Sequence, residues 1–212
     1  MGAHERGGGA RPRRFTYATL SPLSGAGWMP GRDTIARVAP WFDVLAARGV
    51  EVHDAARAIY REFALLDATP MYDRGELLTA PLYFLPAEDV ALDDQALRRW
   101  ASLAGAIGGR PVCPVAHTVG DHPGRPHVIV ADDLGRVFPV RETGEDFLGE
   151  NIDQAMELLF HGLEPPPVRD GRWTPRDDIP GPAAPREDDP LFQYFPPTEA
   201  EPRYLRELGL DI

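Results

Sequence analysis

The chain has 212 residues, 43 % of them hydrophobic, with 22 basic against 33 acidic residues and a net charge of −11. That is enough apolar material for one core, and a poor balance for a nucleic-acid binder, whose phosphate affinity needs clustered cations. Every basic residue is arginine and the single cysteine is Cys113, which excludes a P-loop lysine, a Schiff-base lysine, a Ser-x-x-Lys nucleophile, an internal disulfide and any Cys-x-x-Cys site.

In chain order, residues 1–14 carry four Arg against Glu5, a net +3, around Gly7-Gly8-Gly9. No helix follows these glycines, so they read as a flexible tail rather than a phosphate loop. No apolar h-region follows either, and no run approaches the roughly 18 apolar residues of a membrane span. A cytoplasmic protein with no membrane partner is the expectation. A short helix precedes Gly25, and Gly25-Ala26-Gly27-Trp28-Met29-Pro30-Gly31-Arg32 predicts a tight turn that fixes Trp28 as a core plug at a helix-to-helix corner. Ile35, Val38, Phe42 and Leu45 then fall at helical spacing up to Gly49, a C-cap. Ala55, Ile59, Phe63 and Leu66 form a second stripe behind Asp54 as N-cap.

Leu82–Leu85 is a candidate strand, and Leu92, Ala96, Trp100, Leu103 and Ile107 form a third helical stripe stopped by Gly108-Gly109. Val112–Val119 is a second candidate strand. His127–Val130 and Arg136–Val140, joined through Asp132-Asp133-Leu134-Gly135, predict a β-hairpin, because Asp and Gly tolerate the turn's backbone angles. Ile152, Met156, Leu159 and Leu163 make a last helix, closed by Pro165-Pro166-Pro167. Helices first, an antiparallel sheet next and a helix last predict an α+β fold, with helices packed on a mostly antiparallel sheet. Residues 15–165 form that domain, with 12 basic and 22 acidic residues up to residue 164. Residues 166–212 are a Pro-rich, acidic and largely irregular extension, and residues 165–212 hold 11 of the 23 prolines. Within that extension Leu191-Phe192-Gln193-Tyr194-Phe195 is an aromatic island.

Several constellations bear on chemistry. His117, Asp121, His122 and His127 lie within eleven residues, but their spacing fits no helical His-x-x-x-His pair, and Pro123 and Pro126 make a strand-bridging loop the better reading. No metal or cofactor is expected. Cys113 would need a base to act as a nucleophile. His117, four residues on, falls on the same strand face at roughly 13 Å, out of hydrogen-bond reach, so a buried thiol is expected. Ser21 and Ser24 lie in no Gly-x-Ser-x-Gly elbow. Asp132, Asp133, Glu142, Glu145 and Asp146 gather around and beyond the hairpin. Carboxylates in turns are weak evidence for acid–base catalysis and better evidence for an acidic surface that steers a basic partner.

The motifs taken together resemble the SUKH superfamily of bacterial immunity proteins, in particular its third immunity subfamily. Leu23–Arg32, with Ala26-Gly27-Trp28 and Gly31-Arg32, is similar to the family's opening motif. Glu62-Phe63-Ala64-Leu65-Leu66 stands where relatives have a Phe-Gly-Gly-Leu-like phrase. Cys113-Pro114-Val115-Ala116 resembles a Cys-Pro-(aliphatic)-Gly strand, and Asp132–Phe138, through Gly135, an Asp-x-x-Gly-x-Val-(aromatic) hairpin. Phe147-Leu148-Gly149 and Leu158-Leu159-Phe160-His161-Gly162 resemble the closing segment. These blocks span about residues 20–165 in order. Ala64 and Ala116 depart from the pattern, each standing where a Gly is usual.

The resemblance implies a compact α+β domain without catalytic activity that binds and neutralises a toxin, often a nuclease or deaminase. It implies structural roles for Gly27, Trp28, Gly31, Arg32, Cys113, Pro114 and Gly135. The leading expectation is an immunity protein that meets a basic toxin surface through Asp132, Asp133, Glu142, Glu145 and Asp146. The alternative is an intracellular adaptor or scaffold that uses the same fold and docks through Leu191–Phe195.

Overall fold

The computed structural model describes residues 14–69, 81–85, 92, 94–118, 127–140, 146–169 and 171–174. Among these the elements run α1 (Tyr17–Gly25), α2 (Ile35–Ala47), α3 (Asp54–Phe63), β1 (Asp67–Ala68), β2 (Leu82–Tyr83), α4 (Asp94–Ala106), β3 (Val112–Thr118), β4 (His127–Asp132), β5 (Val137–Val140) and α5 (Ile152–Phe160). The fold is α+β, as the element order predicts.

Four of the five described helices stop in the same way. After α2 the N–H of Gly49 donates to the carbonyl of Ala46 and that of Val50 to Leu45, at 3.0 and 2.9 Å, with Gly49 at φ +74°. This paired ending satisfies carbonyls that the helix leaves bare, and it needs a residue at positive φ, which glycine adopts without steric cost. The same pair recurs at Gly27, Gly108 and Gly162. At the first of these the residue after the glycine is Trp28, whose N–H donates to Leu23. The helix ending thus aims the indole, which is 3 % exposed, back into the core.

The five strands form one antiparallel sheet in the order β1-β2-β3-β4-β5. β3 is buried at six consecutive positions and β5 at all four, so both faces of the central sheet are covered. α3 packs on β3 and β4, α4 on β5, and α1 against α5. The edge of β5 is closed by Gly149, which pairs with Val137. A Cβ on Gly149 would sit 2.7 Å from the amide nitrogen of Ala155, so only glycine lets the start of α5 approach this closely.

β3 is not a regular strand. Its register against β4 shifts between Pro114 and Ala116, so that Cys113 pairs with Ala131 but His117 with Val128. Ala131 and Val128 are three apart on an unbroken strand and point to opposite faces. Cys113 and His117 therefore also face opposite sides, which corrects the shared face expected from a four-residue step.

α3 holds the layers together. Its N-cap is His53 rather than Asp54: Nδ1 of His53 accepts from the N–H of Ala56 at 3.2 Å, and Nε2 donates to the carbonyl of Ala131 on β4 at 3.1 Å. Its last-turn carbonyls are taken by the segment ahead of α2. Arg32 donates Nη1 to the carbonyls of Glu62 and Ala64 at 2.9 and 2.7 Å, while Thr34 reaches Tyr60 and Arg61. Phe63 lies among Phe15, Trp28 and Phe84, with ring centroids 5.4–6.5 Å away.

Contacts of the domain reach residues on either side of the compositional boundaries. Arg14, counted with the tail on charge, grips Asp153 through two 2.7 Å hydrogen bonds, pairs with Glu62 and lies over the rings of Phe15 and Phe63. Beyond residue 165, Phe147 donates its N–H to Pro166, and Trp173 stacks on Phe147 at 4.3 Å. The rest of the extension, including Leu191–Phe195, lies outside the described residues.

Leu65, just past α3, has φ +66° and stands in the glycine-bearing phrase of the resemblance. A left-handed non-glycine residue costs about 1–2 kcal/mol, against about 0.5–1 kcal/mol of extra chain entropy lost by glycine. Leu65 is 38 % exposed, so truncating it gives up apolar contact that offsets the relief of strain. Leu65→Gly is expected to be near neutral, within about 1 kcal/mol, read as a urea midpoint close to the parent's with an unchanged slope.

Candidate functional site

The acidic residues singled out at the hairpin separate into different environments. Asp132, at the end of β4, is fully buried. Its Oδ1 accepts from the N–H groups of Leu134 and Arg136 at 3.1 and 2.9 Å, and its Oδ2 accepts from Nε of Arg136 at 2.6 Å. The turn is completed by the N–H of Asp132 donating to Arg136 and that of Gly135 donating to Asp132, each at 2.9 Å, with Gly135 at φ +88°. Asp132 therefore builds the turn, its carboxylate taken up by groups of the hairpin itself. The reason is local: three donors within four residues converge on one side chain, and Arg136 closes the pocket over it.

Asp133, the next residue, is surface-facing and receives a 2.6 Å hydrogen bond from Nε of Arg110, which holds its carboxyl below the usual carboxylate range. Asp146 is half-buried and pairs with Pro167 through a β-bridge. Glu142 and Glu145 lie outside the described residues. Arg136, besides binding Asp132, lies 4.9 Å from the ring of Trp173 and 5.9 Å from that of Phe138. The indole Nε1 of Trp173 donates to Glu150 at 3.1 Å. A chain of contacts thus runs from the 166–174 segment through Arg136 and Asp132 to the hairpin tip.

A second internal carboxylate, Glu157 on α5, carries no motif in the sequence. It is 5 % exposed and accepts from the N–H and Oγ1 of Thr16, both at 2.7 Å, and from Oγ1 of Thr19 at 2.8 Å, with Nε2 of His161 3.3 Å away. Thr16 is the N-cap of α1 and makes no side-chain cap of its own. The charge of Glu157 sits at the positive end of that helix and satisfies a bare amide there. Only its spacing of four from His161 was open to sequence reading.

The residues weighed for chemistry are kept apart. Cys113 is fully buried, its Sγ 3.8 Å from the carbonyl of Pro114, and burial pushes its thiol up to about 12. The same carbonyl accepts from the hydroxyl of Tyr60, which in turn accepts from Nε1 of Trp41 at 2.9 Å. His117 stacks on Tyr83 with centroids 5.0 Å apart, across the sheet from Cys113. Asp121 and His122 lie outside the described residues, and of His127 only the backbone, paired with Thr118, is described. Among the described residues no three His, Cys, Asp or Glu side chains are grouped to hold a metal ion, and no helix is long and apolar enough to cross a membrane.

Residues 15–162 match the family model described as SUKH-3 immunity protein. The chain belongs to the SUKH-3 immunity protein family. Searches of curated proteins and of solved structures give no match. The family match opens at Phe15 of the SUKH-3 domain, one residue after Arg14, and closes at Gly162, the glycine that ends α5. The motif positions sit as follows. Trp28 plugs the core, its Nε1 donating to Glu62 at 3.2 Å, and Arg32 caps α3. Gly27 and Gly31 take positive φ, and Cys113 and Pro114 run along the buried start of β3.

Two outcomes follow. Removing Asp132 leaves the Arg136 guanidinium facing an empty buried site, so Asp132→Ala is expected to destabilise by about 3–5 kcal/mol in chemical denaturation, with Asp132→Asn, which keeps the acceptor for the turn amides, costing clearly less. A Cys113 thiol that stays protonated and covered at neutral pH is expected to react with a thiol reagent only as the protein unfolds; reaction of the folded protein at the rate of a free thiol would contradict this environment.

Proposed function

We propose that this protein is a non-enzymatic cytoplasmic immunity protein of a polymorphic toxin system. It neutralises one cognate toxin by tight, equimolar binding. The observation that carries the reading is the family match over residues 15–162. The placement of the reactive groups supports it. The thiol is buried and protonated, His117 lies across the sheet from it, and Asp132 and Glu157 are bonded to internal amides and hydroxyls.

The charge supports a toxin that works on nucleic acid or nucleotides, a nuclease or a deaminase. Such enzymes hold anionic substrates on cationic surfaces, and an acidic protein competes for that surface while long-range attraction speeds the encounter. Residues 15–164 carry 22 acidic against 12 basic residues. In this reading Asp133 and Asp146, with Glu142 and Glu145, face the basic surface, and nucleic acid is not itself a partner.

The test pairs the protein with the toxin encoded beside it. Co-expression is expected to rescue cells from that toxin, and the purified pair to form an equimolar complex. Its association rate is expected to fall steeply with added salt while the dissociation rate changes little. A toxin that remains lethal and elutes apart from the immunity protein overturns the reading.

A further inference from the structure

Among the described residues three large apolar side chains are exposed: Met29 at 49 %, Leu65 at 38 % and Leu134 at 61 %. A single exposed apolar residue needs no partner to explain it. What sets Leu134 apart is the machinery that holds it still. It stands third in the Asp132–Gly135 turn, a position that ordinarily goes to a small or polar residue. Its own N–H is bound by a fully buried carboxylate, which also binds the N–H and the guanidinium of Arg136. Arg136 in turn lies against the rings of Phe138 and Trp173. Hairpins of this length close without a buried charge, and burying one is costly unless it is fully bonded. The device therefore fixes the tip more firmly than hairpin closure requires.

The surroundings give the tip a charge. Arg110 and Arg136 are each engaged by an aspartate of the turn. The next residue of the turn, Gly135, packs toward the start of α3, where a Cβ on it would lie 3.8 Å from the Cβ of Ala55. Glu51 and Asp54, on either side of the His53 cap, are exposed there. Asp133 flanks the leucine in sequence. The result is an apolar knob on a tightly bonded turn, with carboxylates beside it and with Arg110 and Arg136 already paired. An anchor that is ordered before binding loses little entropy on docking, and a few residues that fill pockets at the centre of an interface carry most of its energy.

We infer that Leu134 is the central anchor of the partner interface and enters an apolar pocket on a protein surface rimmed by Lys or Arg. This rests on the immunity reading, and the occupant is the catalytic domain of the cognate toxin. The pocket belongs to the toxin; the fit is an apolar tip entering while Asp133, Glu51 and Asp54 meet the cationic rim. Met29 and Leu65 lie at the other end of α3, with the Phe63–Trp28 stack, and are not part of the contact.

The test is a binding titration of the full chain against the toxin encoded beside it, inactivated at its catalytic residue for safe handling. Leu134→Ser and Leu134→Asp leave the buried carboxylate and its bonds intact, and thermal unfolding is expected to match the parent protein. Each is expected to weaken the complex by about tenfold or more, mostly through faster dissociation, with the aspartate worse than the serine. Leu134→Met is expected to bind nearly as the parent does, and Met29→Ser to leave affinity unchanged. Folded Leu134 variants that bind and protect at parental levels overturn the anchor while leaving the immunity reading intact, as does a loss seen with Met29→Ser instead. A parent protein that does not bind this toxin overturns the immunity reading and the anchor with it.

Discussion

A helix packed between layers must find partners for amides at one end and carbonyls at the other, and α3 meets this demand at both ends. These ends are at least partly covered, and a buried polar group left bare costs about as much as a lost hydrogen bond. The imidazole of His53 takes the amide end and reaches on to β4. Arg32 and Thr34 take the carbonyl end and thereby fix where α2 begins. Tyr60 bonds β3 from the middle of the same helix. The Gly31-Arg32 pair of the motif thus has a physical role: the glycine, at φ +77°, turns the chain so that the arginine meets the helix end. The aromatic packing around Phe63 follows, because Trp28 and Phe15 enter from segments already tied to α3.

The same demand explains the two internal carboxylates. Asp132 and Glu157 lie far apart in the chain and do related work, Asp132 taking two turn amides and a guanidinium, Glu157 one amide and two threonine hydroxyls. Both count toward the acidic composition, yet neither contributes a free carboxylate to the surface. The count of acidic residues therefore overstates the number of carboxylates that a partner can reach.

Much of this architecture was legible beforehand. The helical stripes became helices because their apolar residues repeat at 3–4 spacing and their glycines end them, and the hairpin formed where Asp and Gly allow its turn. Trp28 as a plug and Cys113 as a buried thiol were readable for similar local reasons. What was not legible depends on contacts between distant segments. The cap role of His53 requires the carbonyl of Ala131, 78 residues away. The burial of Asp132 requires Arg136 to fold over it, and composition alone cannot distinguish that from a surface carboxylate. Glu157 meets Thr16 across 141 residues with no motif to mark it. The strand β3 misleads in a subtler way, since one bulge reverses the alternation on which a face assignment depends.

The stretch after the family match has a consequence for how the chain leaves the domain. Arg169 and Arg172 close a small turn on each other, and a Cβ on Gly171 would come within 2.8 Å of the carbonyl of Ala106 at the end of α4. With Trp173 stacked on Phe147 two residues later, the last described residues are pinned at two points. The family match closes at Gly162, while packing contacts among the described residues continue as far as Trp173. Anything attached beyond residue 174, whether natural sequence or an added tag, begins from a fixed address beside α4 instead of from the loose end of a helix.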